Sequence, residues 1–367
     1  MELKAILAKA IELNASDVHL SVGLAPILRK NTELSELDFP TITDDIINEM
    51  LISMVGAERF NRFKEQKELD FSTSINSSET GYEARFRGNA HYQRNKIALS
   101  LRVIPNTVPS IEELHLPGIV KELTDLPRGL VLVTGHTGSG KTTTLAAMIG
   151  LINEKYRKRI ITLEDPIEYD MDNKLSMIEQ REIGIDCLGF ALGLRQTLRQ
   201  DPDIIMVGEM RDLDTTSSAI TAAETGHLVL STLHTINGPQ TIERIIDIYP
   251  AKQQNQIRTM LANTLQAIVS QTLFRRIDKP GMVPCAEIVL CNSAVRNCIR
   301  ENRIYEIPNI IETSRKQGMQ SMDKSIEDMY ATGYIDRQEA VLHSSNPAKM
   351  NKILSRIRSG EILQPVS

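Results

Sequence analysis

Residues 135–142 restrict the fold of this chain more than any other stretch. They read Gly-His-Thr-Gly-Ser-Gly-Lys-Thr and match the phosphate-binding pattern G-x-x-x-x-G-K-[S/T]. The apolar run at 130–133 predicts a buried parallel strand before the loop, and residues 143–152 predict the helix that follows it. Because glycines let the backbone turn sharply, successive N–H groups and the helix N-terminus can converge on a phosphate. The stretch therefore predicts a nucleotide-binding α/β domain.

The side chains of this loop have predicted contacts with ATP and Mg²⁺. Lys141 is expected to reach the β- and γ-phosphates, and the Thr142 hydroxyl is expected to hold the metal ion. A glycine-rich turn that binds no nucleotide is the alternative. The predicted nucleotide-binding residues are Gly135, His136, Thr137, Gly138, Ser139, Gly140, Lys141, Thr142 and Thr143.

Two carboxylates follow apolar runs that are typical of buried strands. Glu209 comes after the run at 204–208, and Glu164 comes after the run at 160–163. Because parallel strands end at one edge of a sheet, both acids are expected where the nucleotide binds. Glu209 is expected beside Mg²⁺ and its water, and either acid is a candidate general base. The alternative for each is a solvated loop acid or a helix cap.

Histidines and arginines supply candidate phosphate contacts. His227 and His234 flank the predicted strand at 228–233, where either a phosphate-sensing role or a structural role is open. Apolar and polar residues alternate in two strand-like runs of the N-terminal region, which places Arg87 and Arg102 on a polar face. On pattern alone, these arginines form an exposed basic face.

The order of patterns predicts several structural regions, since 367 residues exceed one compact core. Helices and antiparallel strands predict an α+β domain at the start, and alternating strands and helices after Gly129 predict a parallel sheet. Beyond Pro250 we predict one long helix through Leu273, a last strand at 286–290 and then short helices. The predicted regions are an N-terminal domain at 1–104, a linker at 105–117, an ATPase core at 118–291 and a helical region at 292–367.

Composition argues against several other classes of protein, although a local basic groove stays open. A net charge of −5 and 4% aromatic residues argue against a nucleic-acid binder, including a DNA translocase. The four cysteines form no C-x-x-C pair, so we expect free thiols and no zinc ribbon. Because no run approaches the roughly 18 apolar residues of a membrane span and the start lacks a signal-peptide pattern, we expect a cytoplasmic protein.

Segments in this order resemble the signature boxes of the secretion and type IV pilus ATPases. They lie at 135–142, 161–168, 201–212 and 221–235, and the resemblance extends back to Ser16-Asp17-Val18-His19-Leu20. It therefore covers nearly the whole chain and implies an ATPase.

A further segment is similar to one in the retraction, PilT-type, branch of this superfamily. Residues 294–301 read Ala-Val-Arg-Asn-Cys-Ile-Arg-Glu where that branch has AIRNLIRE, so Val295 and Cys298 replace Ile and Leu. The apolar residues of this segment also fit a core helix. Extension and type II secretion ATPases usually carry a long extra N-terminal region and a four-cysteine metal insert, and this chain shows neither.

The resemblance implies a PAS-like α+β domain, a RecA-like P-loop ATPase domain and a homohexamer. Arg87 and Arg102 align with family arginines that reach toward the γ-phosphate, with action on the same or a neighbouring chain left open. The implied partner is an inner-membrane pilus platform protein (PilC-like), so that membrane association at the cytoplasmic face is peripheral. An extension or type II/IV secretion ATPase and a non-hydrolysing scaffold remain alternatives. The predicted catalytic residues are Glu164, Glu209, Arg87, Arg102, His227 and His234.

Overall fold

The computed structural model describes residues 3–30, 33–77, 82–105 and 107–358 and divides the chain into two units. The N-terminal unit runs up to Thr107 and includes Glu168–Asp170, and the second unit contains the rest of the chain from Val108. Ile111 and Leu116, predicted to lie in a linker, are buried in the core of the second unit. The predicted limits at residues 1 and 367 lie outside the described residues.

The N-terminal unit is the predicted α+β domain. Its strands pair antiparallel in the order β3-β2-β1-β6-β5-β4. The Thr43 hydroxyl caps the second helix by accepting from Ile46 N. Strands β2 and β3 were not predicted because they are short and every side chain of β3 is exposed. The elements are α1 (Leu3–Glu12), β1 (Asp17–Ser21), β2 (Ile27–Lys30), β3 (Glu33–Glu36), α2 (Asp44–Gln66), β4 (Glu68–Ser77), β5 (Tyr82–Gln93) and β6 (Lys96–Ile104).

The two faces of this sheet differ in polarity. Val18 and Leu101 are buried in the core together with residues of α1 and α2. Because side chains alternate along a strand, their neighbours Asp17 and Arg102 lie on the opposite, outer face. Arg87 lies on the same outer face and is exposed, as the alternation predicted.

The second unit is built on the predicted parallel sheet with helices. The strand order is β13-β12-β7-β11-β10-β8-β9, and all neighbours are parallel except β12 and β13. Its elements are α3 (Ile119–Leu123), β7 (Gly129–Thr134), α4 (Lys141–Lys155), β8 (Arg159–Glu164), β9 (Met177–Glu182), α5 (Phe190–Thr197), β10 (Ile204–Val207), α6 (Leu213–Glu224), β11 (Leu228–Leu233), α7 (Gly238–Asp247), α8 (Ala251–Thr264), β12 (Leu265–Arg275) and β13 (Met282–Leu290).

Both faces of this sheet are covered. Along β7, Leu130 and Leu132 pack into one apolar core, whereas Val131 and Val133 pack into another. A strand that is buried on both sides reads as a continuous apolar run, which explains the pattern at β7, β10 and β11.

The long helix predicted from Ile257 through Leu273 is wrong. Helix α8 ends at Thr264, and the chain continues as β12 between β7 and β13. Strand β12 is buried over most of its length because it lies inside the sheet. A short run that is buried on both sides cannot be distinguished from a helix by the period of its apolar residues. The predicted last strand is confirmed as β13.

Short helices follow β13, as predicted. Val295, Cys298 and Ile299 of α9 are buried, which confirms that these three apolar residues of the 294–301 segment belong to the core. The four cysteines are free thiols, and burial raises the pKa of Cys285 and Cys291 to about 12. No helix among the described residues has both the length and the hydropathy needed to cross a membrane. The helices are α9 (Ser293–Arg300), α10 (Ile307–Thr313), α11 (Met322–Ala331), α12 (Arg337–Leu342) and α13 (Pro347–Arg358).

Candidate active site

The phosphate-binding loop joins the carboxyl end of β7 to the N-terminus of α4. Gly135 has a φ of 144°, and a Cβ there would lie 2.3 Å from the Gln271 backbone oxygen, so only glycine fits. Gly140 caps α4 with a φ of 85°, which again favours glycine. The buried Ser139 hydroxyl has no hydrogen-bond partner among the described residues. The loop therefore has the backbone that its sequence pattern requires.

Lys141 is buried at the centre of this loop. Its Nζ donates to the backbone oxygens of Gly135 and His136, each at 2.9 Å. Burial lowers the pKa of Lys141, and the charge of Glu209 partly opposes this shift. The ammonium group is thus held within the loop by ordinary carbonyl oxygens, which phosphate oxygens can replace as stronger, charged acceptors. Thr142 follows in the first turn of α4 with a half-buried side chain.

Glu209 lies just beyond the end of β10, which is separated from β7 by β11. Its Oε2 is 2.6 Å from Arg211 Nε and 3.3 Å from His234 Nε2, and its side chain is 19% exposed. Both of these contacts are made by the same oxygen, so they fix the orientation of the carboxylate. A cavity of about 310 Å³ beside it is lined by Glu209, Met210, Arg211, Thr232, Leu233, His234, Thr235 and Arg244.

Glu164 ends β8, which pairs with β10 in parallel register, so both acids occupy the carboxyl edge. The Glu164 side chain is almost completely buried. Thr162 Oγ1 donates to Glu164 Oε1 at 2.6 Å, and Gln180 Nε2 donates to the same oxygen at 3.0 Å. The second acid is therefore also held by neighbouring side chains.

The two predicted histidines lie at opposite edges of the sheet. His234 follows β11 and contacts Glu209 at the carboxyl edge. His227 precedes β11, with its Nδ1 2.9 Å from the Ala222 backbone oxygen and its own carbonyl accepting from Gly129 N. The length of β11 separates them by about 20 Å. The structure therefore brings His234, and not His227, to the candidate site of its own chain.

The two predicted arginines belong to the N-terminal unit. Arg87 on β5 lies directly opposite Arg102 on β6. Arg102 Nε donates to Asp17 Oδ1 at 2.9 Å.

Several residues at this edge were missed by sequence reasoning. Gln180 lies on β9, whose polar sequence does not indicate a strand, and only the pairing of β9 with β8 brings it to Glu164. Arg211 follows Glu209 by two positions, and Arg244 lies on α7 beside the cavity. For Arg211, the sequence offered one signal: it is a basic residue two positions after an acid that follows a predicted strand.

Comparison with known proteins shows similarity over both units. Residues 110–283 match the family described as type II/IV secretion system protein. The chain is 41% identical over 340 residues, 93% of this chain and 97% of the relative, to the Pseudomonas aeruginosa protein named type IV pilus retractation ATPase PilT. It is 42% identical over 326 residues to a twitching motility protein of Neisseria gonorrhoeae, covering 89% of this chain and 86% of the relative. A crystal structure of the pilus retraction motor PilT with bound ADP matches at 41% identity with a TM-score of 0.88, over 96% of this chain and 99% of that chain.

Proposed function

The chain belongs to the PilT-type branch of the type II/IV secretion ATPases, and we propose that this ATPase is a homohexameric motor that retracts the type IV pilus. Two relatives that match most of its length are named for pilus retraction and twitching motility. The chain also carries the predicted nucleotide loop and both acids on one sheet.

One observation carries the ATPase part of the proposal. Lys141, Glu209 and Glu164 lie at the carboxyl edge of one parallel sheet, where α/β proteins bind their ligands, and the charge of Glu209 acts on Lys141. Lys141 exchanges its two loop carbonyls for the β- and γ-phosphate oxygens of ATP. Glu209 lines the cavity of about 310 Å³, so its carboxylate borders a space that can hold water. Either Glu209 or Glu164 orients the water that attacks the γ-phosphate.

The donor set at this edge fits Mg²⁺. This ion prefers hard oxygen ligands and is commonly held by one or two protein groups together with nucleotide phosphates and water. Thr142 would supply a hydroxyl, and Glu209 would supply a carboxylate, directly or through water. When bound, Mg²⁺ neutralises charge on the phosphate oxygens.

Arg87 and Arg102 complete the proposed mechanism. We assign them the neutralisation of charge that develops on the γ-phosphate, because both are arginines on an outer sheet face and both align with the arginines of the resemblance. Nucleotide binding then draws two units together, and product release separates them. In a ring of six subunits that bind and release nucleotide at different times, these movements would shift a partner at the centre. We propose that this partner is the inner-membrane pilus platform protein. The motor would bind peripherally at the cytoplasmic face of that membrane.

The first experiment measures steady-state ATP hydrolysis and particle mass for wild type and Glu209→Gln. We expect Mg²⁺-dependent turnover by a six-subunit particle, and we expect Glu209→Gln to keep ATP binding and lose turnover. ATP binding without turnover in wild type would instead favour the scaffold alternative. Unchanged turnover in Glu209→Gln would remove that acid from the mechanism.

Retraction is tested in cells. The gene is expressed in a piliated host strain that lacks its own retraction ATPase, with the Glu209→Gln gene as the matched control. Restored twitching by the wild-type gene alone supports retraction. Pilus assembly in a strain that lacks its extension ATPase would favour the extension alternative.

A further inference from the structure

The outer face of the N-terminal sheet carries a row of charged residues across neighbouring strands. Asp17 on β1 lies directly opposite Arg29 on β2 and Arg102 on β6, and Arg102 lies directly opposite Arg87 on β5. Like charges at directly opposed positions are unfavourable, so an anion beside the pair of Arg87 and Arg102 is stabilising. Asp17 supplies one negative charge from one side of the pair, and an anionic ligand would supply more.

Asp17 is an unusual residue for its position in the sheet. It lies on β1, which has a partner strand on each side, and its side chain is only 13% exposed. Burial by itself raises the pKa of Asp17, but the hydrogen bond and charge of Arg102 hold the pKa below its ordinary value. A nearly buried carboxylate is therefore kept ionised, at a desolvation cost that an uncharged side chain would avoid.

The contact uses only one edge of the Arg102 guanidinium. Arg102 donates from Nε to Asp17 Oδ1, and its side chain is 69% exposed. Within the described part of this unit, its two Nη groups make no hydrogen bond. Because the guanidinium is planar and rigid, fixing the Nε edge also fixes the direction of both Nη groups. The two Nη groups of Arg102 are thus held in a fixed direction, in which they can contact a ligand on this face.

We propose that Asp17 is a positioning residue that holds Arg102 by its Nε and presents the two Nη groups to the transferring phosphate. This inference rests on the proposed function of Arg102. It also gives a role to the segment that begins at Ser16, because Ser16 N donates to the Arg29 backbone oxygen and fixes the start of β1 beside β2. Asp17 therefore enters the sheet at a defined register opposite Arg102.

The test is a double-mutant cycle on the full chain, with steady-state kcat and KM for ATP as readouts. We expect Asp17→Asn to lower kcat about tenfold with KM little changed, because an arginine that is misplaced by a fraction of an ångström stabilises the transition state less well. Arg102→Ala is expected to lower kcat about a hundredfold. In the Arg102→Ala background, Asp17→Asn should lower kcat no further, because the group that it positions is gone.

Asp70→Asn is the matched control. Asp70 is an exposed aspartate on β4 of the same sheet and accepts from the neutral Asn89 side chain at 3.0 Å. The Asp70→Asn substitution removes the same charge from the same unit but touches no arginine of the proposed mechanism, so we expect a kcat close to that of wild type. Should Asp17→Asn melt well below wild type, Asp17→Glu replaces it in the cycle, because it keeps the charge and is expected to give an intermediate kcat.

The outcomes separate this inference from the proposed function. If Arg102→Ala lowers kcat and Asp17→Asn does not, the positioning role is wrong and the function of Arg102 stands. Equal losses from Asp17→Asn in both backgrounds would assign Asp17 to general stability and also overturn the inference. If Arg102→Ala leaves kcat intact, both assignments fail, even though Mg²⁺-dependent turnover in wild type would still support an ATPase.

Discussion

At the scale of single residues, the chemistry of the candidate site depends on how charged groups are held. Lys141 is buried with backbone oxygens as its partners, whereas Glu209 is oriented through one oxygen by Arg211 and His234. Each is held by neighbouring groups of the protein itself, so less of the binding free energy is spent on ordering side chains. Nucleotide affinity and turnover are therefore expected to depend on different residues.

Lys141→Ala is expected to weaken ATP binding by at least about tenfold, because a charge-assisted contact with phosphate contributes more than about 1.4 kcal/mol. Equilibrium titration with a fluorescent ATP analogue measures the change. The control is Lys155→Ala at the other end of α4, where Lys155 pairs with Asp125 at an exposed position. Similar affinities in the two variants would contradict the assigned role of Lys141.

His115 is expected to make the stability of the second unit depend on pH. Burial lowers its pKa from the ordinary 6.5, the charges of Arg276 and Lys279 lower it further, and Asp278 opposes them. The neutral ring, which lies 4.7 Å from the Tyr334 ring centroid, is therefore the form that folding favours. Its contribution is complete above pH 6.5 and is lost as pH falls through the lowered pKa.

The matched variant is His115→Asn, since asparagine also tolerates the left-handed backbone found there, with a φ of 55°. Thermal unfolding of both proteins is compared at about pH 7.5 and about pH 5.5. The advantage of wild type over the variant should shrink at the lower pH. An advantage that is constant or that grows would show that the ring is not kept neutral.

At the scale of elements, α9 secures the point where α8 becomes β12. Arg296 Nη1 donates to the Ala262 and Asn263 backbone oxygens, and its Nη2 donates to Gln266 Oε1 at 3.0 Å. The last carbonyls of a helix lack partners within the helix, so a guanidinium there satisfies them and complements the helix dipole. Strand β12 then pairs with β7, which leads into the nucleotide loop.

Arg296→Ala should destabilise this junction by about 1 to 3 kcal/mol, because it removes several charge-assisted bonds. Native-state hydrogen exchange of amides near residue 264 reports the loss. Arg300→Ala is the comparison, since Arg300 is exposed and donates to the Asn263 side chain. Its expected cost is below about 1 kcal/mol. If these amides were equally protected from exchange in the two variants, Arg296 would not stabilise the junction more than Arg300 does.

At the scale of the whole molecule, the residues of the proposed mechanism are divided between the two units. The arginines belong to the N-terminal unit, and the nucleotide loop belongs to the second. In a hexamer, the arginines of one chain act either on their own nucleotide or on that of a neighbour. Mixing two inactive variants distinguishes these arrangements, because a mixed ring contains complete sites only if the arginines act on a neighbouring chain.

Arg87→Ala alone is expected to lower kcat about a hundredfold, through loss of charge stabilisation on the phosphate. The variant is then mixed with Lys141→Ala under conditions that exchange subunits. If the arginines act on a neighbouring chain, mixed rings contain complete sites and turnover rises above either variant. Turnover that stays at the average of the two indicates action within one chain. If Arg87→Ala leaves kcat unchanged, the assigned role of Arg87 is wrong, and the residue is only part of an exposed basic face.

Local patterns determined the nucleotide loop, the buried strands before Gly135 and Glu209, and the polar face that carries Arg87 and Arg102. These features depend on backbone geometry and on the period of apolar residues, which are encoded within a few neighbouring positions. The family resemblance extended this to both units and to the ATPase activity.

Only the tertiary structure decided which side chains meet. The order of strands put β11 beside β10, so that His234, which follows β11, reached Glu209. Strand pairing also brought Gln180 to Glu164 and Asp17 to Arg102. Such contacts join residues far apart in the chain, and the free energy that selects them comes from burying the whole sheet. No local pattern carries that information, which is why β12 was mistaken for a helix.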